Sequence, residues 1–297
     1  FILCSFFGLT ATFAQVKPKQ IKVANQIYGD LYKQEAQKLI IIVPTSGTAD
    51  RNGTIEGHET NMYKDLAQNL VSPDYDVFTY DKRMAFLSKN KSSLDNINFD
   101  HNIVDLKAVI NYYKGKYQKI VLVAHGEGSL VASEAGKGAV EALVIINGLS
   151  IPVDQVLHNQ IAKKYPELSQ AVKNAMAQYK QGNRKTDNPI LDRFFTEDKM
   201  NYLLDLLKYD PISSIKAMNV PVLVLASTEV PEFSYYDRIG FEKISDQTPI
   251  YPLEDMDYNL KLMDPNDIVN SLGLRVKAPL HPKISSYILD FLNSNEI

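Results

Sequence analysis

The sequence is almost without cysteine: its single cysteine is Cys4, in an uncharged apolar stretch over residues 1–14. That stretch has the composition of the hydrophobic part of a signal peptide, with Thr-Phe-Ala at residues 12–14 as its cleavage site. The basic segment and initiator methionine that normally precede it are missing, so we expect a truncated signal peptide and export to the periplasm or the medium. Once it is removed no cysteine is left, which excludes disulfide bonds and a cysteine nucleophile.

Other features are absent as well. The initial apolar stretch, at about 14 residues, is shorter than the ~20 that a membrane-spanning helix needs, so no membrane span is expected. A net charge of −3 with no cluster of lysine and arginine argues against nucleic acid as a partner. The 5 histidines have neither metal-ligand spacing nor an H-E-x-x-H pattern, so we expect no metal and no cofactor.

Apolar runs typical of buried strands alternate with segments of helical periodicity along most of the chain. This alternation predicts an α/β fold, with a mostly parallel central sheet and helices on both of its faces. An antiparallel pair over residues 21–32 is expected to precede the parallel strands, and Asp100 is expected to cap a helix. The predicted parallel strands cover residues 38–43, 75–80, 119–124, 142–146 and 221–225, with a weaker strand at 249–252.

Between residues 150 and 209 the pattern contains helices alone. Apolar stripes at helical spacing, such as Leu168, Val172 and Met176, recur in this block. An all-helical block between two strands is typical of a cap over the carboxyl edge of a sheet. The alternative is a peripheral excursion with no role at a site. The predicted division is therefore a signal peptide at 1–14, a core at 15–149 and 210–297, and a helical cap at 150–209.

The most informative segment is residues 124–128, which read Ala-His-Gly-Glu-Gly between a predicted strand and a predicted helix. Strand, sharp turn and helix are the context of a nucleophile elbow, in which G-x-S-x-G lifts a serine above the sheet. Gly126 stands at the position of that serine and has no side chain. Glu127 follows at the start of the helix, where its charge suits the helix dipole.

Several short motifs accompany this segment in order along the chain. They are Ser-Gly-Thr-Ala-Asp-Arg-Asn-Gly at 46–53, Tyr-Asp-Lys-Arg at 80–83 and Tyr-Asp-Pro at 209–211. In this combination the chain resembles the secreted or periplasmic α/β-hydrolase family of esterase and serine-aminopeptidase-like proteins. The resemblance implies an α/β-hydrolase fold, a Ser-Asp-His triad, and an oxyanion loop at Ser46 and Gly47.

The same resemblance places the acid of the triad on Val230 and its histidine on Tyr258. Glycine offers no oxygen, valine accepts no imidazole N–H, and tyrosine, with a pKa near ~10, is a poor base at neutral pH. We therefore expect an exported, catalytically inactive protein whose vestigial pocket, with Ser46, Gly47 and Glu127, binds a small acyl or ester-like ligand. The pattern identifies no protein partner.

The alternative is a working ester or amide hydrolase with displaced residues. Glu229 lies one position from Val230, and His281 is the histidine nearest the end of the chain, so the pair could act with an activated water. Asp50 and Arg51 either orient a substrate carboxylate or form an ion pair that fastens their loop. His125 is expected to point away from Gly126 and to have a structural role.

Overall fold

This computed structural model of the protein describes residues 15–55, 57–95, 97–229, 239–264, 266–269 and 275–297. The predicted signal peptide at 1–14 and the predicted acid position Val230 lie outside the described residues. Across the described ranges, every helix is too short or too polar to cross a lipid bilayer.

The main sheet has 8 strands, and a separate hairpin of 2 strands stands apart from it. The strands are β1 Lys19–Ala24, β2 Ile27–Tyr32, β3 Lys38–Val43, β4 Thr54–Ile55, β5 His58–Glu59, β6 Tyr75–Asp81, β7 Lys119–His125, β8 Ala142–Ile146, β9 Val222–Ser227 and β10 Ile250–Leu253. The helices are α1 Met62–Leu70, α2 Arg83–Lys89, α3 Phe99–Tyr113, α4 Gly128–Ala135, α5 Val153–Lys164, α6 Ser169–Lys180, α7 Leu191–Phe194, α8 Glu197–Leu206, α9 Pro211–Lys216 and α10 Lys283–Ser294.

The order of strands in the main sheet is β1-β2-β6-β3-β7-β8-β9-β10. From β6 to β10 all neighbours are parallel, and β1 and β2 form the predicted antiparallel pair at one edge. The central register pairs Ile41 of β3 with Phe78 on one side and Leu122 on the other. These strands are buried on both faces, which explains why they read as continuous apolar runs.

Helices cover both faces of the sheet, because successive side chains of a strand point to opposite sides. Ile41 belongs to the core beneath α3 and α4, whereas its neighbour Ile40 belongs to the core beneath α1 and α10. The start of α3 corrects one prediction. Its N-cap is Asn98, which forms a capping box with His101, while Asp100 instead accepts a hydrogen bond from the Tyr209 hydroxyl at 2.7 Å.

Helices α5 to α8 lie in the chain between β8 and β9 and have a hydrophobic core of their own. Its fully buried members are Leu168, Val172, Ala175, Met176, Tyr179, Leu191 and Met200. Tyr202 and Leu206 of α8 pack against the main core, so α8 joins the helical block to the sheet and its helices.

Candidate functional site

Gly126 occupies the sharp turn between β7 and α4, as the sequence predicts. Its φ of 56° is left-handed, a conformation that glycine adopts without the steric cost that a Cβ carries. Its N–H donates to the carbonyl of Ile146 at 2.9 Å, and its own carbonyl accepts from the Ser129 hydroxyl at 2.7 Å. The turn is therefore fixed by hydrogen bonds to the neighbouring strand and to the first turn of α4.

Two hydroxyl groups fill the space above Gly126. An ideal Cβ on this residue would lie 2.3 Å from Thr45 Oγ1 and 2.3 Å from the Tyr258 hydroxyl oxygen. The two hydroxyls are hydrogen-bonded to each other. The structure thus brings Tyr258 to Gly126, as the resemblance implies, but its hydroxyl occupies volume that a serine side chain would need.

The site is built at the carboxyl edge of the sheet, where parallel α/β sheets place their ligands. Thr45 follows β3, Lys82 follows β6, Gly126 follows β7 and Tyr258 follows β10. Residues that are far apart in the sequence therefore lie close together at this edge of the sheet, because each follows one of its strands. Thr45 was not predicted as a site residue, because nothing in its local sequence distinguishes it from an ordinary loop threonine.

A buried hydrogen-bond chain supports the pair of hydroxyls. The backbone N–H of Thr45 donates to the Tyr63 hydroxyl at 2.8 Å, and that hydroxyl lies 3.0 Å from Nδ1 of His125. The His125 ring centroid is 4.6 Å from that of Tyr258. Burial lowers the pKa of His125 to about 3, so the ring is neutral and shares a hydrogen bond with the Tyr63 hydroxyl. These contacts give His125 the structural role that was predicted.

Lys82 and Glu127 are two ionisable groups beside this chain. Lys82 is buried and its ammonium donates to the Thr45 carbonyl, while burial lowers its pKa to about 8. The Glu127 carboxyl accepts from the Tyr202 hydroxyl, which in turn accepts from the Asn102 side-chain amide at 3.0 Å. Burial raises the pKa of Glu127, and the nearby Lys82 and Tyr202 oppose that shift.

A cavity of about 600 Å³ opens above these groups. Its lining includes the exposed Ser46 and Gly47 and the partly buried Glu127 and Tyr258, so the residues predicted for the oxyanion loop and the pocket lie around one cavity. Helices α5 and α8 supply most of its apolar walls, with Leu94, Ile97, Leu149, Val153, Val156, Leu157, Phe195, Met200, Leu203 and Leu206 among the lining residues. The size is that of a small-molecule pocket.

A second cavity, of about 700 Å³, lies at the opposite edge of the sheet. It is lined by the beginnings of β9 and β10 and by α10, with Val222, Tyr251 and Phe291 as examples. None of the predicted site residues line it, so its larger volume does not identify it as the functional site.

The residues proposed for displaced catalysis have other partners. Glu229 is exposed and accepts a hydrogen bond from the Thr228 hydroxyl at 2.9 Å. His281 is buried, with its Nε2 facing the Glu254 carbonyl at 3.1 Å, and burial lowers its pKa. Over the described ranges no hydrogen bond joins the two residues, and neither lines the cavity above Gly126.

Arg51 fastens the loop that follows β3. Its Nη2 lies 2.6 Å from Asp81 Oδ2 and its Nη1 lies 3.0 Å from Asp30 Oδ1. Asp50 accepts from the backbone N–H groups of Asn52 and Thr54 at 2.9 and 2.8 Å. The predicted loop-fastening ion pair is therefore formed by Arg51, with Asp81 and Asp30, whereas Asp50 holds the same loop through backbone hydrogen bonds. Among the residues that the structure describes, no group of His, Cys, Asp and Glu is arranged to hold a metal ion.

Comparisons with known proteins agree on the fold. No protein-family model matches the chain. Esterase EstD of Thermotoga maritima is 25% identical over 193 residues, which are 63% of this chain but only 45% of that esterase. The chain thus spans less than half the length of this curated relative.

Solved structures give the same result over nearly the whole chain. Est1E of Butyrivibrio proteoclasticus is similar with a TM-score of 0.56 and 14% identity, covering 93% of this chain and 99% of that one. The Pyrococcus furiosus esterase Pf2001 has a TM-score of 0.55 at 13% identity, covering 94% and 89%. At these identities the likeness concerns the fold alone, and the predicted α/β-hydrolase fold is confirmed.

Proposed function

Taking the α/β-hydrolase fold as the premise, we propose that this protein binds a small, mostly apolar, ester-like molecule above Gly126 without hydrolysing it through an acyl-enzyme. One observation carries the proposal. The hydroxyls of Thr45 and Tyr258 lie where the side chain of a nucleophilic serine would begin. Neither the oxygen nor the space for a serine is present.

The chemistry of acyl transfer supports this proposal. A serine attacks only when a histidine takes its proton, and an acid must hold that histidine in the right tautomer. Tyr258, at the position implied for the histidine, is instead hydrogen-bonded to Thr45. His125 is close by, but it is buried, neutral and bound to Tyr63, so it serves the packing beneath the site.

The cavity supports the binding part of the proposal. Its walls are mainly apolar, and pockets of about 300–1,000 Å³ with a few polar groups are typical of small-molecule sites. The backbone N–H groups of Ser46 and Gly47 have no partner among the described residues, so they are available to an ester carbonyl. We assign helices α5 to α8 the role of a cap, because two of them, α5 and α8, supply most of the apolar walls.

We also propose that the protein acts outside the cytoplasm. The uncharged apolar composition of residues 1–14 supports this proposal. Sequencing the N-terminus of protein recovered from the cell exterior should give Gln15 as the first residue. Protein found only inside the cell with residues 1–14 attached would contradict export.

Binding and turnover should be measured together with p-nitrophenyl butyrate and p-nitrophenyl decanoate. We expect saturable binding, no turnover above that of heat-inactivated protein, and no labelling by a fluorophosphonate probe. Val156→Trp should weaken binding at least tenfold because it fills the cavity, whereas Lys163→Trp, at an exposed position of the same helix, should not. Turnover that survives repurification and is lost in His281→Ala would contradict the proposal and support the displaced-residue hydrolase.

A repair experiment separates lost chemistry from lost architecture. The triple variant Gly126→Ser, Val230→Asp and Tyr258→His should label with the fluorophosphonate probe and hydrolyse esters, while each single variant should not, because triad residues act as a unit. Replacing Tyr258 removes one of the two hydroxyls that crowd Gly126 and leaves the Thr45 hydroxyl free to rotate away from the serine. A folded triple variant without labelling or turnover would show that the pocket no longer has the shape of an esterase site.

A further inference from the structure

The cavity above Gly126 is lined by one partly buried carboxyl group. It belongs to Glu127, which lines the cavity together with the partly buried Tyr258. The other charged lining residues, Asp95 and Lys199, are exposed and therefore belong to the rim. A ligand that fills the cavity brings one end of its body to Glu127 and leaves the rest among the apolar side chains of α5 and α8.

Within the part of the chain that the structure describes, one oxygen of Glu127 accepts a hydrogen bond. Its Oε1 accepts from Tyr202, whose hydroxyl is itself fixed by Asn102. The other oxygen, Oε2, receives no hydrogen bond from a described residue. The protein does not enclose this oxygen completely. Oε2 is thus an acceptor that is open to the cavity and held in place by the Tyr202 contact.

The cationic side chain near Glu127, Lys82, does not line the cavity. Lys82 lies close enough to Glu127 for each to shift the pKa of the other, but it is only 3% exposed and does not line the cavity. Its ammonium is committed to the Thr45 carbonyl. Lys82 therefore offsets part of the cost of burying a carboxylate, while a ligand meets the carboxylate itself.

From these contacts, and resting on the proposed binding function, we infer that the ligand carries a hydrogen-bond donor, a primary amine or an alcohol, on its apolar body. The donor lies on Glu127 Oε2. A free carboxylate at the same place is disfavoured, because it would put a second anion beside the first in a poorly solvated site. The pocket therefore discriminates against a fatty acid of the same length.

Four probes with the same ten-carbon chain test this inference on the unmodified protein: decylamine, decanol, methyl decanoate and decanoate. Their affinities are measured by isothermal titration calorimetry at pH 7.5. We expect decylamine and decanol to bind at least about tenfold more tightly than decanoate, the scale of one hydrogen bond to a charged group. Methyl decanoate, which has no donor, should fall between them.

A pair of variants assigns the preference to one residue. Glu127→Gln should weaken decylamine binding about tenfold or more and strengthen decanoate binding, since the charge is gone while the acceptor stays. Glu134→Gln is the control, because Glu134 lies in α4, the helix that begins directly after Glu127, pairs with Lys137 and does not line the cavity. Should Glu127→Gln fail to fold, the series on the unmodified protein decides alone.

The outcomes separate this inference from the function on which it rests. Binding of decanoate as tight as that of decylamine, or a Glu127→Gln variant with unchanged preference, would overturn the inference and leave the proposed binding function standing. Failure of all four probes to bind would overturn the proposed function as well.

Discussion

Replacing Gly126 by alanine adds a single carbon at the most crowded point of the site. The added Cβ would stand 2.3 Å from both Thr45 Oγ1 and the Tyr258 hydroxyl, and the residue would keep a left-handed φ of 56°. The backbone conformation costs a non-glycine residue about 1–2 kcal/mol. Overpacking costs roughly 1–3 kcal/mol more. We therefore expect Gly126→Ala to lower the free energy of unfolding by about 2–5 kcal/mol.

Two further variants divide that cost into its parts. Gly138 also has a positive φ, 66°, but an added Cβ there meets nothing within 4 Å, so Gly138→Ala measures the backbone contribution alone. Tyr258→Phe removes one of the two oxygens and releases the Thr45 hydroxyl to rotate. In that background Gly126→Ala should cost only about 1–2 kcal/mol, giving a coupling energy of roughly 1–3 kcal/mol between the two sites.

Urea unfolding followed by circular dichroism gives all these free energies. Tyr258→Phe alone should cost about 1–3 kcal/mol, because it leaves the Thr45 hydroxyl without its partner. The reasoning is refuted if Gly126→Ala costs no more than Gly138→Ala, or if its cost is the same with and without the Tyr258 hydroxyl. Either result would mean that the volume above Gly126 is free.

Further predictions concern the groups around the site. Arg51→Met should lower stability by about 3–5 kcal/mol, since it leaves the Asp81 carboxylate buried without its partner; a loss below about 1 kcal/mol would contradict the loop-fastening role. His125, with its pKa lowered to about 3 in the folded protein, binds fewer protons than in the unfolded chain below pH ~6.5. As the pH is lowered from 7 to 5, His125 should therefore reduce the free energy of unfolding by about 2 kcal/mol. His125→Gln should remove that part of the slope, and equal slopes in the two proteins would show that the ring is not held neutral.

The sheet could be predicted from the sequence because its central strands are buried on both faces and read as unbroken apolar runs. The position of Gly126 followed from the strand-turn-helix pattern around it. The partnership of Thr45 and Tyr258 could not be predicted, since they are 213 positions apart and meet only through the order of the strands. The predicted N-cap of α3, Asp100, was wrong because asparagine and aspartate are both good capping residues. Only the backbone geometry of the structure identifies Asn98 as the N-cap.

Native mass spectrometry of the protein with p-nitrophenyl decanoate tests the central claim most directly, because one spectrum distinguishes a bound ester from an acylated protein. The account predicts a non-covalent complex that carries the intact ester and releases it unchanged on activation in the gas phase. A covalent decanoyl adduct on the protein, or conversion of the bound ester to decanoate and p-nitrophenolate, would contradict it.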